Sequence, residues 1–234
     1  MIEITTLASS SKGNCYKVTD GKTALLLECG IRYKDIQIGL EFRMREIAGC
    51  LITHEHKDHC EAVKDIMKSI DVYASQGTLN ALGINGHRVK PIAAKKQLTI
   101  GSWTILPFDV QHDVNEPLGF LIANQAGEKI LFATDTYYLK YKFRGLTHIM
   151  IECNYSMKIL NENILSGRVP VVMKKRLLRS HFSLENIKDF FRSNDLSKVQ
   201  EIYLLHLSDN NSNAELFKSE IKKLTGKPVF VAGE

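Results

Sequence analysis

The segment Thr53-His54-Glu55-His56-Lys57-Asp58-His59 decides how this chain is interpreted. It directly follows the apolar run 49–52, and it contains three imidazole and two carboxylate side chains. Side chains two residues apart on a strand point to the same side, so we expect the rings of His54 and His56 to lie together. The turn that follows is expected to bring the last two side chains of the segment around to face them.

Imidazole and carboxylate groups are the protein ligands that suit zinc, manganese or iron. The pattern HxHxDH after an apolar strand therefore indicates two adjacent divalent cations. The alternative is a charged junction between strand and loop that binds no metal. Four ligands do not complete two metal sites, so the metal hypothesis requires further ligands at the ends of later strands. His112, Asp135 and His206 meet this requirement, because each follows an apolar or alternating run.

Length and composition restrict the class of protein. The 234 residues, of which 44% are hydrophobic, are typical of a globular chain, and we expect a single domain over residues 1–234. The net charge of +5 permits an anionic partner without requiring one. The five cysteines include no CxxC pair, which argues against a disulfide framework and a thiolate zinc site. No run approaches the roughly 18 apolar residues that span a bilayer, and no signal-peptide pattern is present, so we expect a cytoplasmic protein without membrane contact.

Short apolar runs alternate with segments of helical spacing, which predicts a mixed α/β fold. We predict strands at residues 2–7, 15–19, 23–29, 49–53, 72–74, 103–110, 118–123, 129–134, 148–153 and 201–207. We predict helices at residues 34–46, 61–69, 77–82, 157–166, 171–179, 184–193 and 213–224. Ser183 is a suitable start for the sixth helix, and Asn213 is the expected cap of the last one.

The chain resembles the metallo-β-lactamase superfamily, through THEHKDH followed by the separated His112, Asp135 and His206. This resemblance implies a four-layer αββα sandwich with metals at one edge. Four further motifs resemble the YycJ/WalJ-like branch of phosphodiesterases and nucleases in the same order along the chain. They are LASSSKGNCY near the start, IECNYS at 151–156, VPVVMKKRLLRSHFSLEN at 169–186 and LLHLSDNNS at 204–212.

The resemblance implies two divalent metal ions, Zn²⁺ or Mn²⁺, and a ligand set for each. The first ion would be held by His54, His56 and His112, and the second by Asp58, His59 and His206, with Asp135 bridging. The absence of a thiolate ligand fits nucleases and other phosphodiesterases better than antibiotic-hydrolysing members. Relatives usually have LLIDAG where this chain has Leu26-Leu27-Glu28-Cys29-Gly30, so Glu28 replaces an aspartate that normally supports the ligand loop. Whether Glu28 takes over that support is left open by the sequence.

Hydrolysis of a phosphodiester requires a nucleophile and an acid. A pair of cations lowers the pKa of water toward about 7 and clamps a phosphoryl oxygen. Asp58, which lies between two predicted ligand histidines, is predicted to orient that water. His181, oriented by Glu152, is the predicted acid, as the resemblance to phosphodiesterases with a Glu and His acid pair implies. The alternative makes Glu152 an ordinary strand-end carboxylate and His181 a residue near a helix start.

Several side chains are candidates for substrate binding. Lys174, Lys175 and Arg176 directly precede the predicted acid and are predicted to contact phosphates, whereas the alternative is a solvated helix face. Asn211 either binds substrate oxygens or takes part in capping the last helix. A group of tyrosines at positions 137, 138 and 141 either stacks on a base or packs at the rim of the core.

These features predict a dinuclear-metal-dependent phosphodiesterase that acts on nucleic acid. The resemblance to the YycJ/WalJ-like branch implies a DNA exonuclease as the leading activity. The alternative enzyme is a cyclic-nucleotide phosphodiesterase, because the same centre can open a small 3',5'-cyclic phosphodiester. A catalytically silent binding protein is disfavoured by the complete ligand set. A hydrolase of lactones, thioesters or β-lactams is disfavoured by the basic run. The expected partner is DNA or a nucleotide, and the sequence carries no signal for the oligomeric state.

Overall fold

The computed structural model describes residues 1–233. These residues form two compact units. The first unit comprises Met1–Asp109, Val114–Glu128 and Gly233, and the second comprises Val110–Asp113 and Lys129–Ala232. The expectation of a single domain stays a prediction. No helix among the described residues is long and apolar enough to cross a bilayer.

The first unit contains nine strands and four short helices among its described residues. The strands are β1 Glu3–Ser10, β2 Gly13–Thr19, β3 Ala24–Leu27, β4 Ile47–Leu51, β5 Val72–Ser75, β6 Val89–Ile92, β7 Leu98–Ile100, β8 Trp103–Asp109 and β9 Leu118–Asn124. The helices are α1 Tyr33–Gly39, α2 Lys57–Cys60, α3 Val63–Ile66 and α4 Gln76–Leu82. A single 3-10 turn at Met44–Glu46 precedes β4.

Strands β1 to β6 form a sheet in sequence order. The β1, β2 and β3 strands pair antiparallel, and β3 to β6 pair parallel. Leu27 at the end of β3 lies opposite Leu51 at the end of β4, so the residues that follow both strands leave the sheet at the same edge. Apolar side chains of this sheet and of α1 and α3 are buried together, among them Leu26, Ile36 and Ile66. In the same unit β7, β8 and β9 form an antiparallel ladder.

The second unit contains four strands and four helices among its described residues. They are β10 Lys129–Ala133, β11 His148–Glu152, α5 Met157–Leu165, α6 Val171–Ser180, α7 Leu184–Ser193, β12 Glu201–Leu205, α8 Ala214–Thr225 and β13 Val229–Val231. The four strands pair parallel in sequence order. Ala133 lies opposite Ile151, and Glu152 lies opposite Leu205. The carboxyl ends of β10, β11 and β12 therefore meet at one edge, where α/β sheets usually bind ligands.

Several elements differ from the predicted ones for local reasons. The predicted helix 34–46 ends at Gly39, because Glu41 and Phe42 adopt positive φ angles of 52° and 60° that a right-handed helix does not tolerate. The predicted helix 61–69 is shorter and is preceded by α2, which the sequence pattern assigned to a turn. The short strands β6, β7 and β13 were missed. The caps are confirmed: Ser183 accepts a hydrogen bond from the backbone N–H of Asn186, and Asn213 accepts one from Leu216.

Candidate metal centre

Residues 53–59, which we call the histidine loop, follow β4 in the first unit. The ring centroids of His54 and His56 are 4.8 Å apart, and those of His54 and His59 are 4.1 Å apart. Asp58 Oδ2 lies 3.4 Å from His59 Nε2. His54 and His59 are buried, whereas the side chain of Asp58 is partly exposed. The structure thus brings the predicted ligands of this unit together, as the spacing on the strand and turn indicates.

Buried polar groups hold the histidine loop in place. The Asn14 side-chain amide donates to the backbone carbonyl of Asp58 at 3.3 Å and lies 3.3 Å from His59 Nε2. The Thr53 hydroxyl lies 2.8 Å from His54 Nδ1. A hydrogen bond to Nδ1 fixes the orientation of an imidazole ring and leaves Nε2 to serve as the ligand atom. The conformation of the loop therefore does not depend on the local sequence alone.

Glu28 contacts the histidine loop directly. Its carboxylate accepts the backbone N–H of Thr53 at 3.2 Å, and Oε1 lies 3.7 Å from His59 Nδ1. Burial raises the pKa of Glu28, and the contacts with His59 and Thr53 partly oppose this effect. Glu28 has a φ of 65°, which is unusual for a residue other than glycine. The longer side chain thus reaches the loop that the aspartate of relatives is expected to support.

In the second unit, Asp135, Glu152, His181 and His206 form what we call the strand-end cluster. Each offers one possible ligand atom, and these atoms lie within 4.8 Å of one another. His206 Nδ1 lies 2.9 Å from Asp135 Oδ1 and 3.2 Å from Glu152 Oε1. His181 Nδ1 lies 2.6 Å from Glu152 Oε1. The structure therefore brings together two predicted ligands and the predicted acid pair.

The electrostatics of the cluster favour a charged pair of Glu152 and His181. Burial of Glu152 favours its neutral form, but the charge and hydrogen bond of His181 hold the pKa of Glu152 below its usual range. Burial likewise disfavours a charged His181, yet the Glu152 carboxylate raises the pKa of His181 above its ordinary value. Glu152 Oε2 also accepts the backbone N–H groups of Thr136 at 3.0 Å and Phe182 at 3.1 Å. These bonds orient the carboxylate that faces His181.

His112 also lies beside Asp135 in the second unit. His112 Nδ1 donates to the backbone carbonyl of Ser180 at 3.0 Å, and His112 Nε2 lies 3.7 Å from Asp135 Oδ2. A neutral imidazole that donates from Nδ1 carries its lone pair on Nε2, on the side of the carboxylate. The side chain of His112 is 1% exposed. His112 is therefore oriented as a ligand next to the predicted bridging carboxylate.

Two cluster residues occupy strained backbone conformations. Asp135 has a φ of 45° and His206 a φ of 53°, and both follow the ends of parallel strands. Left-handed conformations at residues other than glycine persist where surrounding contacts enforce them, and they are common at functional sites. The strain is consistent with side chains that are positioned for ligand binding.

The predicted ligands of the second unit have the chemistry that suits a divalent metal ion. They are the carboxylate of Asp135 and two imidazoles, with His206 Nδ1 2.9 Å and His112 Nε2 3.7 Å from that carboxylate, and no thiolate is among them. Such nitrogen and oxygen donors bind zinc, manganese and iron, and they discriminate poorly among them. The residues present therefore fit a divalent metal ion.

Three of the predicted substrate residues lie on α6, and the fourth, Asn211, lies between β12 and α8. Lys175 and Arg176 are exposed, and Lys174 Nζ donates to the Asn161 side-chain carbonyl at 2.8 Å. Asn211 is buried, and its Oδ1 accepts a hydrogen bond from the Asn163 amide at 3.0 Å. This contact gives Asn211 a structural partner. The substrate-binding roles of these residues stay predictions.

Near His112 the structure adds Arg179, which the sequence reasoning did not assign to the site, and Tyr137, whose role the sequence left open. A cavity of about 490 Å³ in the second unit is lined by Gln111, His112, Asp113, Tyr137 and Arg179. Arg179 lies three residues after Arg176 on α6, a spacing that places both on one side of a helix and was the available signal. Tyr137 gave only the ambiguous signal of an aromatic residue after Asp135. Arg179 therefore lines a cavity that is also lined by a predicted metal ligand, His112.

Residues 35–158, which include the histidine loop, His112, Asp135 and Glu152, match a family described as "Beta-lactamase superfamily domain". The chain belongs to the β-lactamase superfamily. Exodeoxyribonuclease YycJ of Bacillus anthracis is 27% identical over 252 residues, which cover 100% of this chain and 92% of that protein. Exodeoxyribonuclease WalJ of Streptococcus pneumoniae is 28% identical over 228 residues, which cover 90% and 83%.

Comparison with solved structures also indicates a metallo-β-lactamase fold for this chain. The metallo-β-lactamase fold protein YhfI of Bacillus subtilis aligns with a TM-score of 0.74 at 13% identity and covers 99% of this chain and 97% of that chain. The predicted metallo-β-lactamase fold and the resemblance to the YycJ-like branch are confirmed. The protein is a metal-dependent hydrolase.

Proposed function

We propose that this hydrolase is an exodeoxyribonuclease that cleaves the phosphodiester bonds of DNA with two divalent metal ions. The strand-end cluster carries the proposal, because His181 Nδ1 lies 2.6 Å from Glu152 Oε1 in the same cluster as a predicted bridging carboxylate. Phosphodiester hydrolysis releases an alkoxide that needs a proton, and an imidazole held by a carboxylate supplies one. Similarity to two proteins named exodeoxyribonucleases over 90% or more of the chain supports the choice of DNA.

The proposed ligands are the seven residues that the superfamily resemblance implies. By this resemblance one ion would be held by His54, His56 and His112 and the other by Asp58, His59 and His206, and Asp135 would be shared by the two. When bound, the two ions polarise a phosphoryl oxygen and lower the pKa of water, and zinc and manganese both suit these ligands. The identity of the metal is a matter for elemental analysis.

The chain's own residues supply orientation and a proton. Asp58 orients the attacking water. With its Nδ1 hydrogen-bonded to Glu152, His181 carries the transferable proton on Nε2 and delivers it to the departing oxygen. Glu152 stabilises the charged imidazole. The substrate phosphates are attracted by Lys174, Lys175 and Arg176, and Asn211 binds substrate oxygens. A cytoplasmic location is also part of the proposal.

The proposal is tested with purified protein loaded with manganese or zinc and given end-labelled linear DNA. We expect progressive release of mononucleotides from the ends. His59→Ala should lower the rate at least about 100-fold, since loss of a residue that only supports a ligand already costs about 10 to 100-fold. The control is His87→Ala, which alters an exposed histidine outside both ligand sets and should cleave at the parent rate. Circular dichroism verifies that both variants are folded.

The alternative activity is distinguished by substrate and by salt. A DNA substrate that contacts several phosphates loses affinity steeply as salt rises, whereas a cyclic mononucleotide does not. Hydrolysis of 3',5'-cyclic nucleotides with no cleavage of DNA would overturn the proposal in favour of a cyclic-nucleotide phosphodiesterase. Cleavage of DNA by His59→Ala at the parent rate would overturn the proposed centre.

A further inference from the structure

The second unit contains an aromatic cavity of about 460 Å³ between the segment after Asp135 and helix α7. We use the name aromatic cavity for the space lined by Tyr137, Tyr138, Leu139, Lys140, Tyr141, Lys142, Phe182, Asn186, Asp189, Phe190 and Ser193. Five of these side chains carry aromatic rings. None of the roles assigned above to ligands or to the acid uses this cavity.

Residues that line the aromatic cavity also contact the strand-end cluster or lie within two residues of one of its members in the chain. Tyr137 lines this cavity and also the cavity that contains His112 and Arg179. Phe182 directly follows His181, and its backbone N–H donates to Glu152 at 3.1 Å. The Asn186 side-chain amide donates to the Tyr137 backbone carbonyl at 3.3 Å, which joins α7 to the opposite wall. A strand whose scissile phosphate lies at the cluster therefore has a neighbouring cavity for its next nucleotide.

The chemistry of the lining suits a nucleotide. Tyr138 lines the cavity and is 56% exposed, so its side chain is accessible to a ligand there. Lys140 and Lys142 are exposed, and Lys140 Nζ lies 5.2 Å from the centre of the Tyr141 ring. The acidic lining residue Asp189 forms an ion pair with Arg192 at 2.8 Å, which reduces its repulsion of phosphates. Aromatic faces combined with basic groups are how proteins bind single-stranded nucleic acid without reading its sequence.

Resting on the proposed function, we propose that the aromatic cavity binds an unpaired base of the DNA strand next to the scissile phosphodiester, with Tyr138 as the stacking platform. Lys140 and Lys142 contact the adjoining phosphates. A base in a duplex is stacked and paired on both sides and cannot enter the cavity without leaving the helix. The cavity therefore favours single-stranded or frayed ends over fully paired ends.

The experiment measures binding rather than cleavage. Fluorescently labelled oligothymidylate is titrated with the full chain in EDTA, and its anisotropy gives the affinity. We expect Tyr138→Ala to weaken binding about ten-fold, within the range found when a base-stacking aromatic residue is removed. Tyr138→Trp, which keeps a stacking face, should retain the parent affinity. The matched control is Phe42→Ala, because Phe42 is 72% exposed in the first unit and lies outside the aromatic cavity.

A second ligand separates stacking from a structural role of Tyr138. An abasic strand of the same length keeps the phosphates and lacks the bases, so Tyr138→Ala should bind it as the parent protein does. Equal weakening for both strands, or unchanged binding of oligothymidylate by Tyr138→Ala, would overturn the stacking proposal. Failure of the metal-loaded parent to release nucleotides from DNA would overturn the proposed function instead, because these titrations require no hydrolysis.

Discussion

The histidine loop and the strand-end cluster present the same kinds of side chain in opposite ways. The predicted ligands of the loop all lie in one continuous segment, residues 53–59, which follows the single strand β4 in the chain. The cluster takes its four members from four separate places in the chain, and sequence separations of 17 to 29 residues lie between consecutive members. The loop therefore depends on local spacing, whereas the cluster depends on the register of three parallel strands and on the end of α6.

Backbone conformation shows the same difference. Asp135 and His206 in the cluster have positive φ angles, whereas no residue of the histidine loop does. A residue held in such a conformation costs on the order of 1 to 3 kcal/mol and needs tertiary contacts to enforce it. The cluster therefore needs tertiary contacts that hold these two residues in strained conformations, whereas the histidine loop contains no residue of this kind.

The largest expected effect comes from removing the acid of the strand-end cluster. His181→Asn should lower kcat on DNA by about 10² to 10⁴-fold, the usual contribution of a general acid. The same variant should lose far less activity toward bis-p-nitrophenyl phosphate, because p-nitrophenolate is a stable leaving group that departs without a proton. The ratio of the two rates is the measurement.

The ratio of the two rates also distinguishes an acid role of His181 from a positioning role within the strand-end cluster. If His181 acts only by holding Asp135 and His206 in place, both substrates lose activity equally, since both need the ligands. An equal loss would therefore remove the acid role and leave a positioning role. If the variant cleaved DNA at the parent rate, both the acid role and the positioning role would be excluded.

Much of the histidine loop is predictable from the sequence because its evidence is local. An apolar run predicts a buried strand, and polar residues directly after it fall at the edge of the sheet. Asp135 and His206 were found by the same rule applied to later strands. The close contact of His181 with Glu152 followed only from resemblance, because 29 residues separate them in the chain and no local pattern connects them.

The parts that were missed depend on tertiary contacts. The end of α1 is set by the positive φ angles of Glu41 and Phe42. Positive φ angles are predictable from the sequence mainly at glycines, and neither residue is a glycine. Arg179 lies in the basic run, but only the packed position of α6 shows that it lines the cavity with His112. The hydrogen bond between Asn163 and Asn211 joins residues 48 positions apart and carries no periodic signal.

The next effect concerns the packing that fixes the histidine loop. A Cβ on Gly30 would overlap the backbone carbonyl of Asp58 and lie 2.6 Å from the backbone nitrogen of His59. Gly30→Ala should lower the free energy of unfolding by about 3 kcal/mol, the upper part of the usual range for overpacking. Urea denaturation measures this change.

The control for Gly30 is Gly127→Ala, where a Cβ meets nothing within 4 Å and only the φ of 82° is unfavourable. This variant should lose about 1 to 2 kcal/mol, the usual penalty for a left-handed residue other than glycine. Equal losses in the two variants would show that the loop yields to the added methyl group. The histidine loop would then be less rigidly supported than its contacts with Gly30 indicate.

The smallest expected effect tests whether Glu28 supports the histidine loop. Glu28→Gln keeps an oxygen that accepts the backbone N–H of Thr53 but removes the charge that faces His59 Nδ1 at 3.7 Å. We expect metal affinity to fall about ten-fold, the low end of the range for residues that support a metal ligand. Competition with a chromophoric chelator measures this affinity without any turnover.

Glu55→Gln is the matched control, because Glu55 lies in the same loop and its carboxylate bonds to the side chain of Asn115 at 2.6 Å. It should bind metal as the parent does, since that carboxylate bonds to Asn115 and Thr78 and not to a ligand histidine. Equal affinity losses for Glu28→Gln and Glu55→Gln would indicate a general effect of loop charge. A loss confined to Glu28→Gln would show that the longer side chain has taken over the support that relatives obtain from aspartate.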